Sequence, residues 1–256
     1  MSTTVDDLKN FYLTRLGRVT RRIIKARLDE VWPEEACANM RVLGTGYAVP
    51  YLSAYQEKAE CVFSLMPENT GAEAWPKCNH ALSLAALSDP SALPIETNSI
   101  DRIVMMHDLE HCESINAALT EVWRILKSNG RLIVIAPNRS GFWARSDKTP
   151  FGQGRPFSTS QLKTLLYQND FIHERTEEAL FMPPLAYTPI FKFADTFERI
   201  GKTAFPIAAG IHIIEASKQL YAKADKGSGV AVNTKRSAVP KPAISNSKDR
   251  WDRPRP

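Results

Sequence analysis

Apolar positions recur with two different periods along this chain. Over residues 5–30, Leu8, Tyr12, Leu16, Val19 and Ile23 return every three or four positions, while Arg15, Arg18, Arg22 and Lys25 form a separate stripe. That spacing predicts one basic amphipathic helix. From Met40 the pattern changes. Short apolar runs near 40–44, 60–66, 82–87, 101–107 and 131–136 alternate with helical stretches or turn signals, as in a parallel sheet joined by crossover helices. Glu121 to Lys127 reads as the end of a helix stopped by Ser128-Asn129-Gly130, with Gly130 placed for left-handed backbone. Ser158-Thr159-Ser160-Gln161 supplies N-cap hydroxyls for a helix running to Gln168. Runs near 173–179 and 211–217 bring the strands to seven. The pattern predicts an α/β fold with a doubly wound, mostly parallel sheet and helices on both faces.

Composition divides the chain into parts. The 256 residues, 43% hydrophobic, suit one α/β domain with appendages. We read residues 1–35 as the N-terminal helical segment, 36–222 as the domain and 223–256 as a disordered tail. Within the domain, 181–210 is an insertion rich in proline and aromatics. The net charge of +5 suggests nucleic acid until it is localised: 223–256 holds nine Lys and Arg against three Asp. The domain itself is close to neutral, so nucleic acid is not expected as a partner except through the tail. The tail has too few apolar residues to offset the entropy of ordering; it is either solvated or an arm for nucleic acid, lipid or an acidic protein. The basic helix likewise fits either a membrane surface or the cap of a sheet. Met1 to Asn10 is polar and acidic, unlike a secretory signal, so a cytoplasmic location is expected. Cys37, Cys61, Cys78 and Cys112 are dispersed and read as free thiols, with no metal site.

The segment Asp89-Pro90-Ser91-Ala92-Leu93-Pro94-Ile95, followed by Asn98-Ser99-Ile100-Asp101-Arg102-Ile103-Val104, carries linked motifs. His107-Asp108-Leu109-Glu110-His111 and Glu121-Val122-Trp123-Arg124-Ile125-Leu126-Lys127 follow in order. This series resembles the class I S-adenosylmethionine (SAM) dependent methyltransferases, in particular the methyltransferase type 11 group. The resemblance implies a Rossmann-like fold, SAM as cofactor, and methyl transfer to a small-molecule or lipid-like acceptor.

It also implies roles for named residues. Asp89, ending strand three, would accept a hydrogen bond from the adenine amino group; the alternative is a turn cap. His107, ending strand four, would line the cofactor pocket or take a proton from the acceptor; the alternative is a core histidine. Glu110 and His111 are read as capping the helix that follows. In the glycine loop, Val42-Leu43-Gly44-Thr45-Gly46-Tyr47-Ala48-Val49-Pro50 keeps the family's flanks and departs at its centre. Gly44 stands where the family has an acid, and Ala48 and Pro50 replace glycines. Gly44, Gly46 and Ala48 are nevertheless read as cofactor-binding. Glu68 is offered for the ribose hydroxyls, one or two residues later than usual, with an exposed loop carboxylate as the alternative.

After strand five, Arg139, Trp143, Arg145 and Arg155 lie in long loops with Phe142 and Phe157. Arginines there can hold a carboxylate or phosphate against an aromatic wall, or can be tied within a packed loop. No Asn-Pro-Pro-Tyr sequence occurs, which argues against methylation of DNA-base amino groups. The rival reading is a degenerate methyltransferase fold acting as a non-catalytic binding or regulatory partner, motivated by Gly44, Ala48 and Pro50.

Overall fold

Strand residues that must be covered on both faces produce apolar runs rather than alternation, and the central strands follow this rule. The computed structural model describes residues 3–76, 82–185 and 188–219. Its strands are β1 (Arg41–Gly46), β2 (Cys61–Pro67), β3 (Ala85–Ser88), β4 (Ile100–Met106), β5 (Leu126–Pro137), β6 (Phe171–Ala179) and β7 (Ile211–Lys218). They form one seven-stranded sheet in the order β3-β2-β1-β4-β5-β7-β6. The pairs among β1 to β5 are parallel, and β7 runs antiparallel to β5 and β6. This is the Rossmann-like, mostly parallel sheet expected from the sequence.

Adjacent residues of one strand feed two separate cores. Val42, Val104, Ile133 and Ile135 pack on one face with α1 (Val5–Leu13), α2 (Arg15–Val31) and α3 (Val49–Leu52). Leu43, Ile103, Leu132 and Val134 pack on the other with α4 (Ile115–Ile125) and α5 (Thr159–Gln168). The chain travels outward from β1 to β3 and then returns past β1 to β4. Strand order therefore reverses between β1 and β4, which opens a crevice at their carboxyl ends.

Three expectations are corrected. The single helix over 5–30 is two, because Thr14 is extended (ψ 164°), donates its hydroxyl to Phe11 O at 2.7 Å and caps Gly17 N at 3.0 Å. The apolar stripe continues through the break: Leu8, Tyr12, Leu16 and Ile23 are buried in the sheet's own core. Strand five begins at Leu126 instead of 131, since α4 ends at Ile125 and Leu126 already pairs with Ile100. Ser128, Asn129 and Gly130 are thus inside the strand, where the register shifts between Ile100 and Arg102. Gly130 is not left-handed; the described glycines with positive φ are Gly46, Gly71 and Gly154.

The segment 181–210 supplies α6 (Thr188–Lys192) and α7 (Ala194–Ala204). The buried Glu198 carboxylate accepts the backbone N–H groups of Leu180 and Phe181 at 3.2 and 2.7 Å, docking α7 onto the end of β6. The tail 223–256 and Cys78 lie outside the described residues. No described helix is long and apolar enough to cross a membrane.

At α5 the anticipated cap is a full capping box: Ser158 Oγ accepts Gln161 N, and Gln161 Oε1 accepts Ser158 N. Ser158→Ala should cost about 1 kcal/mol and lower Tm by about 3 °C in a thermal melt; an unchanged Tm would show that α5 is held by packing alone.

Candidate functional site

The crevice begins where β1 stops. Gly46 has φ +67°, and a Cβ there would sit 2.2 Å from Met106 O of β4, so no other residue lets the two strand ends approach. Tyr47 N–H then donates to Met106 O at 2.6 Å. This bond turns the loop inward, and Ala48 and Val49 are buried as α3 starts. Pro50 falls in the first turn of α3, where its missing N–H costs nothing. A Cβ on Gly44 would lie 2.6 Å from Leu52 Cδ1 and 2.8 Å from Ala48 Cβ. Gly44 and Ala48 together let α3 close on β1, and neither borders the cavities described below.

At the end of β4, His107 is 1% exposed and left-handed (φ +52°). Its Nε2 lies 3.0 Å from Tyr12 Oη, and its Nδ1 lies 3.2 Å from Glu110 Oε1. Tyr51 Oη donates to Tyr12 Oη at 3.1 Å. One consistent order of protons follows: Tyr51 to Tyr12, Tyr12 to Nε2, and Nδ1–H to the carboxylate. Burial pushes the Tyr12 hydroxyl well above the usual tyrosine range, so it keeps its proton. Phe151 packs 4.8 Å from the His107 ring and Tyr47 stacks 5.9 Å from Tyr12. Helix α1 thereby covers His107. Glu110 belongs to this network and not to a helix cap, because α4 starts only at Ile115.

Beside this closed cluster is a cavity of about 340 Å³ bounded by Pro67, Glu68, Asn69, Asp89, Pro90, Ser91, Asp108 and residues 111–114. A recess of about 10 Å³, about the least that admits one water, continues from Asp108 to Thr45 and Gly46. The structure so brings Glu68 and Asp89 to one cavity and sets Gly46 behind it. Asp89 is an exposed rim residue whose Oδ1 accepts Ser91 N at 2.8 Å and Ser91 Oγ at 2.7 Å. Those two donors hold its carboxyl below the usual range.

Two further residues border this cavity: Asp108, not singled out from the sequence, and His111, read there as a cap for a helix that starts only at Ile115. Asp108 is 3% exposed, and its Oδ1 has no hydrogen-bond partner among the described residues. Desolvation pushes its carboxyl up to about 6; the Thr45 hydroxyl eases the shift and Glu110 adds to it. Thr45 Oγ1, like Asp108 Oδ1, is buried without a partner in hydrogen-bond geometry among the described residues. His111 borders the same cavity with a buried, unpartnered Nε2, and burial lowers its basicity. The signal for Asp108 was an acid directly after an apolar run at the point where strand order reverses.

The loops after β5 lie elsewhere. Trp143 is wholly buried, with Nε1 donating to Met182 O at 2.7 Å and its ring against Phe151 and Gly210. Arg145 is exposed and borders neither cavity. Arg139 and Arg155 border a second cavity, of about 610 Å³, alongside α5. Trp143 is not brought together with the arginines or with Gly46.

The Asp108 carboxyl titrates near 3.8 in the unfolded chain and near 6 in the fold. Its protonated form is favoured by folding, so its contribution is full below pH 4 and is lost as pH rises through 6. Asp108→Asn should remove a loss of about 3 kcal/mol between pH 4 and 7, measured as the difference between variant and wild type in denaturant unfolding. A constant difference across that range would mean the carboxyl is not desolvated.

Residues 43–134 match the family model described as a methyltransferase domain. A SAM-dependent methyltransferase from Thermotoga maritima superposes with TM-score 0.56 at 18% identity, covering 84% of this chain and 96% of that one. One from Aquifex aeolicus gives 0.53 at 17%, covering 82% and 96%. The [4+2]-cyclase SpnF gives 0.52 at 21%, covering 76% and 81%. No curated protein matches the sequence. Residues 43–134 thus match a methyltransferase domain, and the strand order and superpositions give the chain the fold of SAM-dependent methyltransferases.

Proposed function

We propose that this chain transfers the methyl group of SAM to a small-molecule or lipid-like acceptor, with the cofactor in the cavity between Glu68, Asp89 and Asp108. The observation that carries the reading is Asp108, a buried carboxylate with an unpartnered oxygen at the edge where α/β sheets bind ligands. Such a group calls for a cation or a strong donor, because an unpaired charge in low dielectric is costly. The ammonium of the cofactor's amino-acid end is one, and the recess at Gly46 has room for a group of that size. The outer cavity falls within the range of small-ligand sites, roughly 300–1,000 Å³. Glu68 and Asp89 are acceptors suited to ribose hydroxyls and the adenine amino group.

When bound, SAM supplies a methyl group already activated on a sulfonium, so the protein's task is alignment and exclusion of water. Gly44 and Ala48 serve this reading by letting α3 seal the back of the crevice. Tyr12 and Phe151 exclude water from the same side. In this reading His107 positions Glu110 and Tyr12, since both its nitrogens are engaged. Proton acceptance falls to His111, which borders the cavity and is kept neutral by burial. A second reading, binding without turnover, is favoured by the cover that α1 places over His107.

Calorimetric titration with SAM, its demethylated product S-adenosylhomocysteine and 5′-methylthioadenosine tests the assignment. Asp108→Asn should weaken the first two by about tenfold or more and leave methylthioadenosine, which has no ammonium, unchanged. Asp89→Ala should weaken all three. Wild-type protein that binds neither SAM nor its product would end the enzyme reading; binding without product formation across an acceptor panel would favour the second. His111→Gln should lower turnover by about a hundredfold at unchanged SAM affinity, and equal turnover would remove it from the chemistry.

A further inference from the structure

The second cavity, of about 610 Å³, has an electrostatic character the first does not share. Arg139 and Arg155 stand at its edge, and no carboxylate borders it. The Arg155 guanidinium makes no hydrogen bond or ion pair among the described residues, and Arg139 makes one long contact, from Nη2 to Pro156 O at 3.4 Å. Their backbones are fixed side by side. Arg139 N donates to Phe157 O at 2.9 Å, Phe157 N to Pro137 O at 2.9 Å and Arg155 N to Glu110 O at 2.9 Å. Two exposed guanidiniums without an ionic partner among the described residues are thus brought to one cavity, where both can donate to an oxyanion. The first turn of α5 contributes Ser160 and Gln161 to the same cavity, and the positive end of the helix dipole adds to the field. Ile115, Phe157 and Leu165 form an apolar side.

The cavity is also next to the cofactor cavity. Ser114 borders one and Ile115 the other. Gly154 lies so close to this dividing segment that a Cβ would be 2.6 Å from Glu110 O and 3.0 Å from His111 Cε1. We infer that the Arg139–Arg155 cavity binds the anionic end of the methyl acceptor, a molecule with a phosphate, sulfonate or carboxylate on an apolar body. The inference rests on the methyl-transfer reading for the word acceptor, while the anion site itself does not. Neither guanidinium alone defines the ligand: the oxyanion is selected by the pair, and the apolar body by the side of the cavity away from water.

The test uses the full chain and a soluble probe, decyl phosphate below its micelle concentration, with decanol and inorganic phosphate as half-probes. Calorimetry should give one site per chain for decyl phosphate, with each half-probe at least about tenfold weaker. Arg139→Gln with Arg155→Gln should lower decyl phosphate affinity at least about tenfold at unchanged Tm and unchanged SAM affinity. Gln161→Glu is the second variant: glutamate preserves the capping box while placing a negative charge in the cavity, so α5 keeps its stability and probe binding falls. Equal probe affinity in wild type and both variants overturns the proposal, as does absence of binding to wild type. Association confined to phosphatidylcholine vesicles containing phosphatidylglycerol, with no uptake of the soluble probe, also overturns it in favour of a surface patch. Loss of SAM binding with probe binding intact would reject the methyl-transfer reading and leave the anion site standing.

Discussion

The close approach of β1 and β4 at Gly46 is the constraint from which the site follows. Because Met106 O occupies the space of a Cβ there, the chain must leave β1 with a left-handed residue and bond Tyr47 N–H back to β4. That bond directs the next residues into the core and sets α3 against β1. The same junction positions Asp108, whose Cβ lies beside Gly46, and requires His107 to take a conformation that few side-chain-bearing residues adopt. One steric contact thus determines both the sealed side of the crevice and the open one.

The two sides differ in how their polar groups are met. On the sealed side, the hydroxyls and ring nitrogens from Tyr51 to His107 have protein partners and aromatic rings around them, while Glu110 Oε2 has none among the described residues. On the open side, Asp108 Oδ1, Thr45 Oγ1 and His111 Nε2 have none. Buried polar groups without partners are uncommon and are concentrated where a ligand completes them. In the proposed reading one cluster is structural and the other binds the ligand, although residues 107–111 contribute to both.

Much of this was legible in the sequence for a physical reason. Strands covered on both faces leave apolar runs that stand out, so all seven were found to within a few residues, and Ser158 and Gln161 announce α5 through chemistry local to four residues. The break at Thr14 was hidden because the apolar stripe keeps its period across it, and the start of β5 was hidden because Gly130 resembles a helix stop. The absent acid at Gly44 could be read; its steric origin in Leu52 and Ala48 could not, as it depends on packing between elements. Trp143 among arginines looks like an acceptor wall, whereas burial against Met182 and Gly210, far along the chain, gives it a core role. Asp108 was passed over because a single acid after a strand carries no pattern, only a position.

The place of β7 in the sheet has a consequence for biosynthesis. It is the last of the described strands along the chain, yet it lies between β5 and β6 and pairs with both. Until Ile211–Lys218 has left the ribosome, β5 presents an unpaired edge and β6 has no neighbour to join it to the sheet, a state open to wrong pairing. Five of the seven described strands can therefore assemble before it, and the last two join the sheet only together.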